Sequence, residues 1–78
     1  MALIKKFDDL GAGNRGRVHG EVACTYATFE VEGRRYLQID TYGSNERVIP
    51  GKVSQSIQLD KNGARLLKRL LEQTFPGI

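Results

Sequence analysis

Helical periodicity occurs once in this chain, at its end, and that single apolar stripe needs a surface to pack on. Asp60 stands at the N-cap position, where its carboxylate can accept from the free amides of a helix that starts at Lys61. Ala64, Leu67, Leu70, Leu71 and Thr74 then fall on one side and Leu66 widens the stripe. Arg65, Lys68, Arg69 and Glu72 follow the spacing of a solvated face, and Pro76 to Ile78 end the helix. Upstream the residues alternate with the period of two that marks strands, so the expected class is α+β, strands first and one C-terminal amphipathic helix last.

From Arg17 to Tyr42 the chain reads as antiparallel strands, with Glu32 and Gly33 as the hairpin turn. In the second arm Leu37 and Ile39 share one face, and Arg34, Tyr36, Gln38, Asp40 and Tyr42 share the other. Judged by apolarity, Phe29 and Val31 join Leu37 and Ile39, which sends Tyr26, Thr28 and Glu30 to the polar side. Val18, Val22 and Cys24 read as inward and Arg17, His19 and Glu21 as outward. Those two inward sets differ in parity, so the residues fit either one long strand bent near Cys24 and Thr25 or a new strand that begins there. Gly43 to Gly51 reads as a loop with Arg47 at its middle. After it, Val53, Gln55, Ile57 and Leu59 alternate with Lys52, Ser54, Ser56 and Gln58, a strand with one wet face.

Seventy-eight residues form one domain with a marginal core. Residues 1–16 read as a flexible lead-in and 17–78 as the sheet-plus-helix domain. A lone cysteine, Cys24, excludes an internal disulfide, and one histidine beside it makes no recognisable zinc cluster, so self-association is the expected source of added stability. The start of the chain has no signal-type apolar region and no run approaches a membrane span; the expectation is a cytoplasmic protein with no membrane partner. Gly11 to Gly16 formally spells G-x-G-x-x-G. A dinucleotide site needs a strand before that motif and a helix after it, whereas here a strand-like run follows, and a flexible basic loop is the better reading.

The expected wet face carries all three tyrosines, Tyr26, Tyr36 and Tyr42, with Arg17, His19, Arg34, Gln38, Lys52, Ser54, Ser56 and Gln58, and Arg47 of the loop joins them as a candidate nucleic-acid-binding residue. Aromatic rings stack on any base and cations neutralise phosphates, which is the chemistry of a single-stranded nucleic-acid platform. A net charge of +3 agrees with a polyanionic partner. Glu21, Glu30 and Asp40 share that face in this reading and would repel phosphate, and exposed aromatic pairs also stabilise sheets that bind nothing. His19 has neither a nucleophile nor a metal shell near it in sequence, and Cys24 reads as a small core residue, so neither an enzyme nor a cofactor is expected.

The order of "LQIDTY", "PGK" and "IQLD", followed by the terminal helix, resembles the positive-cofactor-four family of transcriptional coactivators over roughly Val31 to Phe75. The resemblance implies a curved antiparallel sheet of about four strands followed by one C-terminal helix, and a homodimer that binds single-stranded DNA and unwound duplex. It also implies that Pro50, Gly51 and Lys52 form a basic turn beside the DNA. The chain departs from the family pattern at Asp40, where a basic residue is usual, and at Gly43, where an exposed tryptophan is usual.

The expected function is therefore sequence-tolerant binding of single-stranded DNA or RNA by a homodimer, with Leu66, Leu70 and Phe75 at the dimer interface. The alternative is a small protein-interaction module or inhibitor that uses the same sheet face.

Overall fold

The computed structural model describes residues 1–11, 16–43 and 52–78. They form β1 (Ala2–Ile4), β2 (Cys24–Val31), β3 (Arg34–Tyr42), β4 (Val53–Leu59) and α1 (Lys61–Thr74). The strands make one open sheet in the order β1-β4-β3-β2. The β2–β3 and β3–β4 pairs are antiparallel, but β1 runs parallel to β4, so the sheet is mixed. The segment expected to be a loose lead-in thus begins with a strand, held because Ala2, Leu3 and Ile4 complete the free edge of β4.

Glu32 and Gly33 form the expected turn, with φ of 51° and 78°. Two successive positive φ values mark a type I′ turn, whose twist suits the strands it joins. The turn also sets the register: Val31 faces Arg34, Phe29 faces Tyr36, Thr28 faces Leu37 and Tyr26 faces Ile39. Opposed residues in a ladder point to the same side of a sheet. Phe29 and Val31 therefore lie with Arg34, Tyr36 and Gln38, and Tyr26, Thr28 and Glu30 lie with Leu37 and Ile39. This reverses the assignment made by apolarity, because the turn length outranks the hydrophobicity of an exposed edge strand.

Residues 17–23 carry no strand and are exposed throughout. The ladder starts at Cys24, so of the two readings the later strand start holds, and Val18, Val22 and Cys24 are exposed rather than inward. The bulge occurs elsewhere, between Thr41 and Tyr42 where they meet β4.

One face of the sheet carries Ile4, Leu37, Ile39, Ile57 and Leu59, and α1 starts against it. Leu59 is only 3% exposed and is the buried hydrophobic centre; the others are half-buried. Asp60 caps the helix as expected, its Oδ1 accepting from the Gly63 amide at 2.8 Å, while Oδ2 accepts from Lys5 Nζ. The first helical turn sits so close to β1 that a Cβ on Gly63 would stand 2.8 Å from the Ile4 carbonyl oxygen. An apolar cavity of about 360 Å³ opens between the helix start and the sheet, lined in part by Thr28, Leu37, Leu59 and Ala64.

Beyond its first two turns the helix leaves its apolar stripe uncovered: Leu70, Leu71 and Phe75 are 39%, 40% and 55% exposed. The accessible surface is 7063 Å², where a compact 8.7 kDa monomer would show about 4,700 Å². The radius of gyration is 14.9 Å, against about 11.5 Å for a compact domain of this length. The exposed stretch Gly16 to Ala23 contributes part of this excess and the helix stripe another part.

Candidate nucleic-acid interface

The sheet face turned away from the helix is built by the alternation of β2, β3 and β4. From β2 come Thr25, Ala27, Phe29 and Val31; from β3 Arg34, Tyr36, Gln38, Asp40 and Tyr42; from β4 Ser56 and Gln58, while Ser54 is the unpaired residue at the bulge. Leu3 of β1 stands beside Gln58.

Two kinds of contact organise this open face. The rings of Phe29 and Tyr36 stack, with centroids 5.4 Å apart and planes 19° apart. Next to them runs a polar ladder. Gln58 Nε2 donates to Gln38 Oε1 at 2.8 Å, and Gln38 Nε2 donates to both Asp40 oxygens at 3.1 and 3.3 Å. The Ser56 hydroxyl also donates to Asp40 Oδ1, and Thr25 and Tyr42 join their hydroxyls at 2.9 Å. Ser56 is buried within this ladder, although it lies on the face expected to be wet.

The electrostatics of the face follow from the register. Glu30 is on the helix side, where it faces Arg35 across a 3.9 Å ion pair. Glu21 belongs to the segment outside the sheet. Among the described residues of the three strands, Asp40 is the one carboxylate on the open face, and its oxygens are occupied by Gln38 and Ser56. Arg34 lies at the hairpin end of β3, and Lys52 immediately precedes β4 at the opposite end. The nine residues of β3 separate those ends by about 30 Å at the rise of a strand.

Of the residues singled out from sequence, Arg34, Tyr36, Gln38, Tyr42 and Ser56 share this face, Lys52 borders it, and Ser54 is exposed at the bulge beside it. Tyr26 does not; it is 77% exposed on the helix side, opposite Ile39. Arg17 and His19 sit in the exposed segment before β2 and are not brought to the sheet by any ladder. Arg47, Pro50 and Gly51 lie outside the described residues. Sequence reasoning missed Phe29 as a site residue, although the turn at Glu32 and Gly33 already pairs it with Tyr36. It also missed the Thr25–Tyr42 bond, since Thr25 stood at the expected bend.

Among the described residues no helix is long and apolar enough to cross a membrane. No known protein-family model, curated protein or solved structure matches this chain.

Proposed function

We propose that the protein binds single-stranded nucleic acid as a homodimer, through the open sheet face. The observation that carries this reading is the stacked Phe29–Tyr36 pair on a face from which Glu30 has been removed by the register. Phe29 keeps 36% of its surface exposed, so the pair is open in part to a base. Base stacking on such rings is sequence-tolerant because every base has a π-face. Arg34 and Lys52 supply a cation at each end of the track, and Gln38 and Gln58 line its middle. The uncovered stripe of Leu70, Leu71 and Phe75 supports self-association, since a second copy would bury what this copy leaves in water.

A salt series tests the reading. Affinity for an unstructured oligonucleotide, followed by fluorescence anisotropy, should fall linearly on a log–log plot against salt, with a slope near −0.7 per phosphate neutralised. Lys52→Ala should make that slope shallower by about 0.7 if it meets one phosphate. Absence of binding at low salt overturns the proposal.

A further inference from the structure

We propose that two copies of the chain join their β2 strands edge to edge, antiparallel about a two-fold axis at Ala27, so that one continuous sheet carries both aromatic pairs. This rests on the self-association of the preceding reading and names a strand-edge contact for it beside the helix stripe.

β2 is the outer strand of the sheet, and among the described residues nothing pairs with its free side. Its eight residues, Cys24–Val31, are all exposed. Natural sheets blunt such edges with lysine, proline, a bulge or a short strand. The other edge, β1, is three residues long and so is protected by shortness. β2 has no lysine, proline or bulge and is not short: it contains Thr25, Tyr26, Thr28, Phe29 and Val31, all strand formers, and its one charge, Glu30, is paired with Arg35 of its own sheet.

The backbone fixes how a second copy would fit. The Tyr42 amide donates to the Ala23 carbonyl, and the two-residue turn closes on Val31 and Arg34. Inward hydrogen bonding in an antiparallel pair falls on every second residue, here the odd-numbered ones. The N–H and C=O groups of Cys24, Tyr26, Thr28 and Glu30 consequently point to the open edge. An antiparallel copy must oppose residues of the same face, which requires the two-fold axis to pass through a residue rather than between two. Centring on Ala27 places Tyr26 opposite Thr28 of the second copy and Cys24 opposite its Glu30, and it pairs all four outward residues within the strand. Moving the axis to Tyr26 or Thr28 pushes one of them past the strand end.

The side chains agree with that centre. Ala27 would face its own copy at the close, non-hydrogen-bonded spacing, where two methyl groups meet without crowding. On the open face Thr25 would lie beside Phe29 of the second copy, so each ring pair continues onto the partner sheet. Because the axis is perpendicular to the sheet, both helices fall on the same side, with their uncovered leucines, and both nucleic-acid faces fall on the other. A strand of nucleic acid crossing the axis would meet two platforms in sequence, which raises avidity for longer oligonucleotides without a new contact.

Disulfide trapping tests the register in the full chain without any oligonucleotide. In a Cys24→Ser background, Ala27→Cys should form a covalent dimer under mild oxidation, because the opposed Cα atoms of such a pair lie about 4.5 Å apart, within disulfide range. Thr25→Cys, displaced from the axis, should not. Ala27→Lys should shift the protein to monomer in sedimentation equilibrium while circular dichroism keeps its strand and helix signal. Cross-linking of Thr25→Cys as readily as Ala27→Cys overturns the register. A dimer that survives Ala27→Lys overturns the edge pairing and leaves the helix-mediated dimer standing. A wild-type chain that sediments only as monomer overturns both dimers, and the oligonucleotide titration then decides nucleic-acid binding separately.

Discussion

Phe29 stacks on Tyr36 across the hairpin, and the contact exists because a two-residue turn at Glu32 and Gly33 sets them opposite one another. Tyr36→Ala should weaken oligonucleotide binding by about 1–3 kcal/mol, the usual worth of one stacked base. Phe29→Ala should weaken it too, since Tyr36 loses the ring that holds it in place. Anisotropy titrations at fixed salt measure both. An affinity unchanged in either variant, with a lowered melting temperature, would identify the pair as sheet packing alone.

How far the sequence reveals this site depends on which local rule is applied. The helix cap at Asp60, the turn, and the strands β3 and β4 are legible because each has a sharp local signal: a capping carboxylate, a glycine at positive φ, a clean alternation. The faces of β2 are misread by apolarity. Phe29 and Val31 are apolar yet partly exposed at 36% and 51%, because a lone edge strand has no second layer above that face. Counting outward from the turn gives the correct pairing, and it exchanges Tyr26 for Phe29 in the site. The strand β1 is illegible for another reason: three residues, Ala2–Ile4, are too short to show a period, and only the free edge of β4 makes them a strand.

Asp40 gathers the polar ladder, accepting from Gln38 and from the buried Ser56 hydroxyl. Asp40→Ala leaves those donors without a partner and should lower stability by about 1–3 kcal/mol in urea unfolding. Asp40→Asn keeps an acceptor oxygen and removes the charge. It should therefore fold better than the alanine variant and bind oligonucleotide more tightly than the wild type at low salt. Equal stability of the alanine variant and the wild type would show the ladder to be energetically idle.

Gly63 is a glycine inside a helix, where alanine ordinarily gains about 1 kcal/mol. Here the added methyl would press on the Ile4 carbonyl, which is backbone and cannot swing aside. Gly63→Ala should therefore destabilise the protein by about 1–3 kcal/mol. The loss should appear first in β1, as faster hydrogen exchange at the amides of that strand. A rise in melting temperature would mean that the helix start is free to move away from β1.

The carboxyl of Asp60 is held below its ordinary pKa, first by the hydrogen bond from Lys5 and next by the Gly63 amide. A carboxylate whose folded pKa is depressed contributes its stability above the unfolded value of about 3.9 and loses it as pH falls through the lower folded value. Wild type should hence exceed Asp60→Asn in stability at neutral pH, and the gap should close in acid. Asparagine still caps a helix, so the comparison isolates charge from capping. A gap independent of pH between 7 and the acid limb would remove the charge from the account.

The helix end provides the last test, because the exposed stripe is a large apolar surface in a chain that is already larger in area than its mass requires. Leu70 and Leu71 lie some turns beyond the Gly63 contact, and Phe75 caps the helix with its amide bound to the Leu71 carbonyl. Within one copy Leu70 is more than a third exposed, so its removal should cost little in the monomer. In a dimer that buries the stripe, Leu70→Asp would place a charge in an apolar contact, and unpaired charges of that kind are strongly disfavoured. We expect wild type to sediment as a dimer at micromolar concentration and Leu70→Asp as a monomer with its hairpin intact by circular dichroism. Leu66→Asp is less selective, since Leu66 is half-buried against its own chain and its loss should unfold the protein as well. If Leu70→Asp leaves the dimer unchanged while Ala27→Lys abolishes it, the strand edge alone holds the two copies together.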